Sequence, residues 1–394
     1  MRERIYLGRL EELIKNYQFN LPLSIYLRQE FNKRRNMGSR DRKRTREDIF
    51  NYFRIGKNYP DMTIPERVAI GSYICNNTRS AELDYIISNH SPFQPEEIPQ
   101  SLESKLNHIK AELPQFDIEK IFPAVNQISN GINKEKFLNS FLIQPRLWIR
   151  VRKNFKNELL TELKEKEIPY ENSEYSSLAF SFKNGSPVHT LDCYLNGAFE
   201  IQDLNSQKCA EKILPASTEY WWDACCGSGG KSLAILDQAP GLNLTVSDIR
   251  ESTLQNLKLR VKKTGQKIAR TLILDLNTSS PELPGMFDGI IADVPCSGSG
   301  TWARSPELLS SFSEQSLFDK FIPLQRNIVR NLTNALKPQK CLYYITCSVF
   351  KVENEENIAY FEKNLGLKCK SSEYLEGSDK GADSMFFAIL EKME

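Results

Sequence analysis

The chain has 394 residues and a formal net charge of +2, because 52 lysines and arginines stand against 50 aspartates and glutamates. Charged residues make up 26% and hydrophobic residues 40% of the chain, a globular composition that excludes an intrinsically disordered protein. The nine cysteines form no C-x-x-C pair and only three histidines are present, so we expect no metal site.

The N-terminal segment is charged from its start and includes Glu3, Glu11 and Glu12, unlike a secretory signal or an acid-poor transit peptide. No apolar run approaches the length of a membrane span. We therefore expect a cytoplasmic protein with reduced thiols and no membrane partner. We also expect a monomer.

Residues 1 to about 115 predict an all-α domain, because apolar residues recur at helical spacing in Ile5–Leu13 and around Ile49–Phe53. Residues 28–57 contain eleven lysines or arginines against four acidic residues. Such a basic stretch on a near-neutral chain is typical of a surface that contacts a phosphate backbone, although a solvated helix face explains it equally well. The candidate nucleic-acid-binding residues are Arg40, Arg42, Lys43, Arg44 and Arg46.

Residues 120–200 predict a small α/β connector, with strands at Leu147–Val151 and Ser177–Phe182 and a helix at Asn157–Lys166. From residue 201 to 394, apolar runs alternate with helical segments, which predicts a parallel sheet covered on both faces. The predicted strands are Tyr220–Ala224, Leu242–Val246, Thr271–Leu274, Phe287–Val294 and Cys341–Ile345, and the predicted helices include Lys231–Gln238, Ser252–Lys263 and Leu317–Leu336. Two last strand-like pieces, near Leu367–Lys370 and Ser384–Leu390, have no room for a helix between them and predict an antiparallel pair.

Four consecutive predicted strands finish with an aspartate, namely Asp223, Asp248, Asp275 and Asp293. In a doubly wound sheet, ligands bind beyond the carboxyl ends of the strands. A single aspartate at such a position is typical of a turn or a helix cap. Four in register, after a glycine-rich first turn, indicate a nucleoside cofactor.

The glycines of that first turn let the backbone approach a ligand and open the next helix. Asp248 is placed to accept from ribose hydroxyls, and Asp275 from an adenine amino group. Cys225, like Cys226, is also typical of a small buried side chain at the end of an apolar strand. The candidate cofactor-binding residues are Asp223, Cys225, Gly227, Gly229, Gly230, Lys231, Asp248, Arg250, Asp275 and Asp293.

Two cysteines decide between a nicotinamide dinucleotide and S-adenosylmethionine as the cofactor. Cys296 follows the fourth strand and Cys347 the fifth, so both thiols face one pocket if these strands are neighbours. A dehydrogenase has no use for paired thiols there, whereas a base methylase has, because carbon 5 of cytosine becomes nucleophilic once a thiolate adds to carbon 6. Asp293 is placed near ring nitrogen 3, where an acid would neutralise the charge that the addition creates.

Several motifs occur in a fixed order along the second half of the chain. They are GAFEIQDLNSQ at 197–207, DACCGSGGKS at 223–232, DVPCSGSGT at 293–301 and ITCS at 345–348, with ENEEN shortly after. In this order they resemble the Sun/RsmB (Fmu) family of RNA cytosine-5 methyltransferases. PRLWIRVRKNF at 145–155 resembles the short domain before the catalytic core of this family, and GSRDRKRTREDIFNYFR at 38–54 resembles a NusB-like helical RNA-binding domain.

The resemblance implies roles for four residues. Cys347 attacks carbon 6, and Cys296 assists elimination and product release. Asp293 hydrogen-bonds the ring, and Lys231 lies near the cofactor and the target base. DNA cytosine-5 methylases carry their nucleophile in the PC motif instead, so the ITCS cysteine favours RNA.

The first turn departs from the pattern of the family, which usually reads Ala-Pro-Gly-Gly-Lys. Here residues 227–231 read Gly-Ser-Gly-Gly-Lys. Loss of the proline adds flexibility to the turn but keeps its glycines and its lysine.

Three parts follow from these patterns: a NusB-like RNA-binding domain at 1–115, a connector at 120–200, and a class I (Rossmann-like) S-adenosylmethionine-dependent methyltransferase domain at 201–394. The resemblance favours ribosomal RNA as the substrate, with transfer RNA as the alternative. An RNA-binding assembly factor without turnover is a third possibility, against which the intact Cys296, Cys347 and Asp293 argue.

Overall fold

The computed structural model describes residues 2–34, 37–278 and 282–394. Residues 35 and 36, which belong to the predicted basic stretch, lie outside the described residues. The chain divides into two compact units. Unit 1 takes the described residues of Met1–Asn126 with Asn133–Gln144 and Trp302–Glu314, and unit 2 takes those of Gln127–Ile132, Pro145–Thr301 and Gln315–Glu394.

The helices and strands of the described residues are labelled in chain order. The helices are α1 (Arg2–Lys15), α2 (Leu23–Lys33), α3 (Ser39–Arg54), α4 (Ile64–Cys75), α5 (Ala81–His90), α6 (Leu102–Glu112), α7 (Lys134–Ser140), α8 (Lys156–Glu165), α9 (Asp192–Leu195), α10 (Leu204–Glu211), α11 (Gly230–Gln238), α12 (Glu251–Thr264), α13 (Leu308–Ser311), α14 (Ile322–Thr333) and α15 (Glu355–Asn364). The strands are β1 (Leu147–Val151), β2 (Glu171–Asn172), β3 (Ala179–Phe182), β4 (Phe199–Ile201), β5 (Tyr220–Asp223), β6 (Asn243–Asp248), β7 (Arg270–Ile273), β8 (Phe287–Asp293), β9 (Leu336–Thr346), β10 (Leu367–Leu375) and β11 (Met385–Lys392).

Unit 1 is helical, and no strand occurs among its described residues, which confirms the prediction for residues 1 to about 115. A buried carboxylate lies inside it. Asp48 of α3 accepts hydrogen bonds from the Tyr6 hydroxyl at 2.6 Å and from Ser72 Oγ at 2.8 Å. A buried carboxylate is costly without partners, so these bonds favour the one packing of α1, α3 and α4 that supplies both.

Arg54, the last residue of α3, is buried although it belongs to the predicted basic stretch. Its guanidinium donates to the Phe141 carbonyl at 2.6 Å and to the Ala303 carbonyl at 2.9 Å. Burial lowers the pKa of Arg54. The segment Trp302–Glu314, which directly follows the DVPCSGSGT motif in the chain, is thereby anchored within unit 1.

The large sheet of unit 2 has the strand order β10-β11-β9-β8-β5-β6-β7. The pairs β8–β9, β5–β8, β5–β6 and β6–β7 are parallel, as predicted. β11 pairs antiparallel with both β9 and β10, which confirms the predicted C-terminal pair. The strand order reverses between β5 and β8, and such a switch point is where open α/β sheets bind their ligands.

Two apolar clusters cover the two faces of this sheet. Adjacent residues of a strand point to opposite faces. Trp222 accordingly packs with Ile328 of α14 and Phe361 of α15, whereas Trp221 packs with residues of α11 and α12 such as Leu233 and Leu257. The predicted cover of helices on both faces is therefore confirmed.

The helix predicted for Leu317–Leu336 is wrong at both ends. Residues 317–321 form a turn of π-helix before α14, and α14 ends at Thr333. Leu336 is instead the first residue of β9 and pairs with Phe287 of β8. Pro338 disfavours helical backbone at the residue before it. The helical spacing of apolar residues therefore extends further along the chain than the helix itself.

The residues from 145 to about 200 form a second, antiparallel sheet in unit 2, with the order β2-β3-β1-β4. Its core includes Ile149, Phe180 and Phe199. The predicted strand at Leu147–Val151 matches β1, and the predicted helix at Asn157–Lys166 matches α8 within one residue at each end. Division of the chain into three domains stays a prediction. Among the described residues, no helix is both long and apolar enough to span a membrane.

Candidate active site

The parallel strands of unit 2 bring the predicted site residues to one edge of the sheet. Asp223, Asp248 and Asp293 are the last residues of β5, β6 and β8. Asp275 follows β7 by two residues, and Cys347 directly follows β9. Carboxyl ends of parallel strands share an edge, so these side chains surround the switch point between β5 and β8.

The two predicted catalytic thiols lie in contact. β8 and β9 are neighbours, with Asp293 opposite Ile345. Cys296 Sγ and Cys347 Sγ are 3.2 Å apart, well beyond the ~2.05 Å of a disulfide, and both cysteines are free. The sequence predicts that the two thiols meet if their strands are neighbours. The strands are neighbours, and the thiols are in contact.

The environment of Cys296 keeps its proton in place. The contact with Cys347 and burial both raise the pKa of the Cys296 thiol well above its usual value. Either sulfur can donate its S–H to the other in this contact.

Glu353, which is fully buried, joins the loops that carry the two thiols. One of its carboxylate oxygens accepts from the Ser297 backbone N–H at 2.9 Å and from Gln325 Nε2 at 2.8 Å. The other accepts from the hydroxyls of Ser297 and Ser348, both at 2.5 Å. Ser297 follows Cys296 and Ser348 follows Cys347, so one carboxylate fixes the spacing of the thiols.

Lys231 and Asp293, the last residue of β8, form an ion pair. Lys231 Nζ lies 2.7 Å from Asp293 Oδ2 and donates to Ser206 Oγ at 3.3 Å. Burial lowers the pKa of Lys231, but nearby acidic groups, the Asp293 carboxylate first among them, together outweigh burial, and the net pKa is raised. The site therefore holds a permanent ammonium next to a carboxylate that is one-third exposed.

The glycine-rich turn has the backbone conformation that its glycines suggest. Gly227 has φ +53° and Gly229 has φ +84°, both in the left-handed region. A Cβ at Gly229 would lie 2.1 Å from Leu257 Cδ1, whereas a Cβ at Gly227 would meet no atom within 4 Å. Gly230 begins α11, so the turn leads directly into a helix at the edge of the sheet.

The Asp248 carboxylate accepts hydrogen bonds from nearby groups of the same chain. Its carboxylate accepts from the Gly227 backbone N–H at 3.0 Å, from the Arg250 backbone N–H at 2.9 Å and from the Arg250 guanidinium at 3.1 Å. Burial raises the pKa of Asp248, but the hydrogen bonds and the positive charge of Arg250, together with the hydrogen bond from Gly227, outweigh burial, and the net pKa is lowered. The Arg250 side chain itself is 65% exposed.

Three further cofactor candidates differ in their surroundings. Asp223 is buried and accepts from Ser232 Oγ at 2.5 Å, and burial raises its pKa to about 7. Its second oxygen, Oδ1, is buried with no hydrogen-bond partner among the described residues. Asp275 is half-buried and accepts from the Asn277 backbone N–H at 2.9 Å. Cys225 packs at the edge of the apolar cluster around Trp222, as its small side chain suggests.

The predicted RNA-binding residues of α3 fall into two groups. Arg40, Lys43 and Arg46 are exposed. Arg42 donates to the Met37 carbonyl at 2.8 Å, and Arg44 pairs with Glu82 at 2.6 Å. The first three therefore form the open basic surface of α3, spaced three residues apart on neighbouring turns, while the other two make contacts inside unit 1.

A second basic segment was missed by the sequence analysis. Residues 252–274 contain six lysines or arginines and no acidic residue. Lys258, Lys262, Lys263 and Lys267 are exposed. In the sequence this segment is recognisable as a local run of positive charge. Because it lies within the predicted methyltransferase domain, the sequence pattern there predicts only a helix.

Glu353 and Ser206 are the site residues that the sequence analysis left without a role. Both lie in motifs that it quoted, ENEEN and GAFEIQDLNSQ. A motif match identifies a segment, but which side chain faces the site depends on the packing. The described residues contain no group of three or more possible metal ligands.

Comparison with known proteins agrees with this geometry. Residues 211–384 match the family model described as 16S rRNA methyltransferase RsmB/F. The ribosomal RNA small subunit methyltransferase B of Photorhabdus laumondii is 28% identical over 305 residues, covering 73% of this chain and 67% of the relative. The protein of the same name from Pasteurella multocida is 29% identical over 269 residues, covering 64% of this chain and 60% of the relative. The chain thus spans about two thirds or less of the length of these relatives.

Among solved structures, the crystal structure of PH0851 matches with a TM-score of 0.71 and 21% identity, and it covers 99% of this chain and 97% of that chain. At this identity the likeness shows the fold alone. The sheet order, the site at its switch point and the family match agree on a Rossmann-like methyltransferase core. Residues 211–384 of this chain are thus similar to the RsmB/F family of methyltransferases.

Proposed function

We propose that this protein transfers a methyl group from S-adenosylmethionine to carbon 5 of cytosine in RNA. The observation that carries the proposal is the contact of two free thiols, 3.2 Å apart, at the carboxyl ends of β8 and β9. A methyltransferase that acts on an oxygen or an amino nitrogen needs no sulfur nucleophile. A pyrimidine carbon does, because it must be activated by addition at the neighbouring carbon.

The edge of the sheet fits S-adenosylmethionine. The space in front of Gly227 is open to a ligand, and Asp223 Oδ1 is an acceptor without a partner among the described residues. Asp248 would hold the ribose after Arg250 moves aside, and Asp275 would hold the adenine. When bound, S-adenosylmethionine supplies an electrophilic methyl group.

The residues of this chain supply the activation of the base. The Cys347 thiolate adds to carbon 6 and forms the sulfur–carbon bond, and the displaced electron pair moves toward ring nitrogen 3. The Lys231 ammonium, held by Asp293, neutralises the negative charge that develops there. Carbon 5 thereby becomes nucleophilic toward the methyl group.

Release of the product reverses the addition. The proton on carbon 5 passes to water, the carbon 5–carbon 6 double bond reforms, and the electron pair of the sulfur–carbon bond returns to Cys347. The Cys296 thiol, 3.2 Å away, donates its S–H to the departing thiolate and stabilises it as a leaving group.

The proposed substrate is ribosomal RNA, because the relatives of this chain are named ribosomal RNA small subunit methyltransferases. The exposed cations of α3 and of the segment 252–274 would contact its phosphates. Incubation with labelled S-adenosylmethionine and unmodified ribosomal RNA should place the label in 5-methylcytidine. Label in 5-methylcytidine from transfer RNA instead would show that the substrate is transfer RNA and not ribosomal RNA. No label from naked RNA or from ribosomal subunit precursors would favour an assembly factor without turnover.

Substitution of each cysteine separates their proposed roles. Cys347→Ala should form no covalent protein–RNA adduct, because the nucleophile is gone. Cys296→Ala should accumulate the adduct, because release loses its S–H donor. Denaturing gel electrophoresis with labelled RNA measures both, and the reverse pattern would show that the roles are exchanged.

A further inference from the structure

Helix α12 contacts the glycine-rich turn through two side chains on one face. Leu257 and Arg260 lie three residues apart, which places them on neighbouring turns of the helix. Leu257 fills the space that a side chain at Gly229 would need. Arg260 Nη1 donates to the carbonyl oxygen of Ser228 at 2.5 Å and to its hydroxyl at 3.1 Å.

The Arg260 guanidinium is itself held in place. Its Nε and Nη2 both donate to Glu200 Oε2, at 3.0 and 2.6 Å. Glu200 belongs to β4 and is buried, and its other oxygen lies 3.5 Å from Arg152 Nη2. A guanidinium with charge-assisted bonds on two sides has little rotational freedom, so its third nitrogen presents a fixed donor to the turn.

The turn needs an external restraint because of its sequence. Ser228 lies between Gly227 and Gly229, and two flanking glycines give the backbone many alternative conformations to lose when it orders. A serine side chain does not restrict this backbone covalently, so another group has to supply the order.

We propose that Arg260 is a positioning residue that orders the glycine-rich turn for the cofactor. Glu200 orients Arg260, and Leu257 supports the same turn from behind. The inference rests on the proposed function, because it takes the turn to be the binding site of S-adenosylmethionine. Arg260 thereby has a structural role in addition to its ion pair with Glu200, whose carboxylate already balances the charge of the guanidinium.

The test compares Arg260→Met with Gln255→Met, which removes an exposed polar side chain from the same helix. Calorimetry without RNA should show Arg260→Met binding S-adenosylmethionine about tenfold more weakly, the size expected for lost hydrogen bonds to a charged donor. Gln255→Met should bind like the wild type. With RNA, Arg260→Met should raise KM for S-adenosylmethionine and leave kcat within about twofold, because the thiols do not contact Arg260.

A rescue variant separates positioning from general loss of structure. Ser228 has a negative φ, which proline can adopt, so Ser228→Pro in the Arg260→Met background should restore most of the affinity. Equal affinity of Arg260→Met and wild type, or failure of the proline to restore it while thermal unfolding is unchanged, would overturn the inference alone. A wild-type chain that does not bind S-adenosylmethionine would overturn the proposed function as well.

Discussion

At the scale of single residues, the spacing of the two thiols depends on one buried carboxylate. Glu353 accepts four hydrogen bonds and is the only described residue that bonds to both Ser297 and Ser348 through its carboxylate. Two of these bonds come from hydroxyls at 2.5 Å. A neutral side chain of the same shape would keep the fold but weaken both hydroxyl contacts.

We therefore expect Glu353→Gln to lower kcat by about 10- to 100-fold, the range for hydrogen bonds to a charged group, with little change in the affinity for S-adenosylmethionine. Steady-state kinetics and calorimetry measure the two quantities. Glu356→Gln, an exposed change three residues away on α15, is the matched control. Unaltered kcat in Glu353→Gln would show that the loops hold the thiols without this carboxylate.

At the scale of elements, the turn between β5 and α11 is shaped by glycine conformations and by α12 behind it. Gly227 and Gly229 both have a positive φ, but only Gly229 has a neighbour in the way of a side chain. The two positions therefore separate backbone strain from steric conflict. Leu257 is the side chain that would have to move.

Gly227→Ala should reduce the free energy of unfolding by about 1 kcal/mol, the cost of a left-handed alanine. Gly229→Ala should cost about 2–4 kcal/mol, because overpacking against Leu257 adds to the same strain. Urea unfolding followed by tryptophan fluorescence reports on Trp221 and Trp222 of the adjacent strand. Equal losses in the two variants would contradict the role given to Leu257.

At the scale of the whole molecule, charge is distributed unevenly although the net charge is only +2. The open cations of α3 are Arg40, Lys43 and Arg46, because Arg42 and Arg44 contact other groups of unit 1. A second excess of positive charge lies at residues 252–274 of unit 2. Phosphate contacts by such surfaces give affinity that falls with salt and does not depend on base sequence.

Reversal of Arg40, Lys43 and Arg46 to glutamate should weaken RNA binding and reduce the salt slope of log K by about 2, or roughly 0.7 for each lost contact with single-stranded RNA. Filter binding at several salt concentrations measures both. The matched control reverses Lys110, Lys120 and Lys136, which are exposed elsewhere in unit 1. The basic surface of α3 would lose its assigned role if both triple variants bound RNA equally well at moderate salt.

The sequence by itself determined the alternation of strands and helices from residue 201 onward, the acids at the strand ends and the motifs that carry Cys296 and Cys347. These features are local, because side-chain periodicity and turn residues act over a few positions. The end of α14 was misjudged for the same reason. Apolar spacing alone does not reveal that Leu336 pairs with Phe287.

Only the tertiary structure decided which of these side chains meet. The order of the strands brings the sulfur atoms of Cys296 and Cys347 to 3.2 Å. The Arg250 side chain donates a hydrogen bond to the Asp248 carboxylate. Glu353 bonds to the loops of both thiols, and Arg260 bonds to the glycine-rich turn. In the tertiary structure, Arg42, Arg44 and Arg54 also contact partners inside unit 1. Several of these contacts join residues 32 to 249 positions apart, and their geometry is set by how sheet and helices pack, which no local pattern encodes.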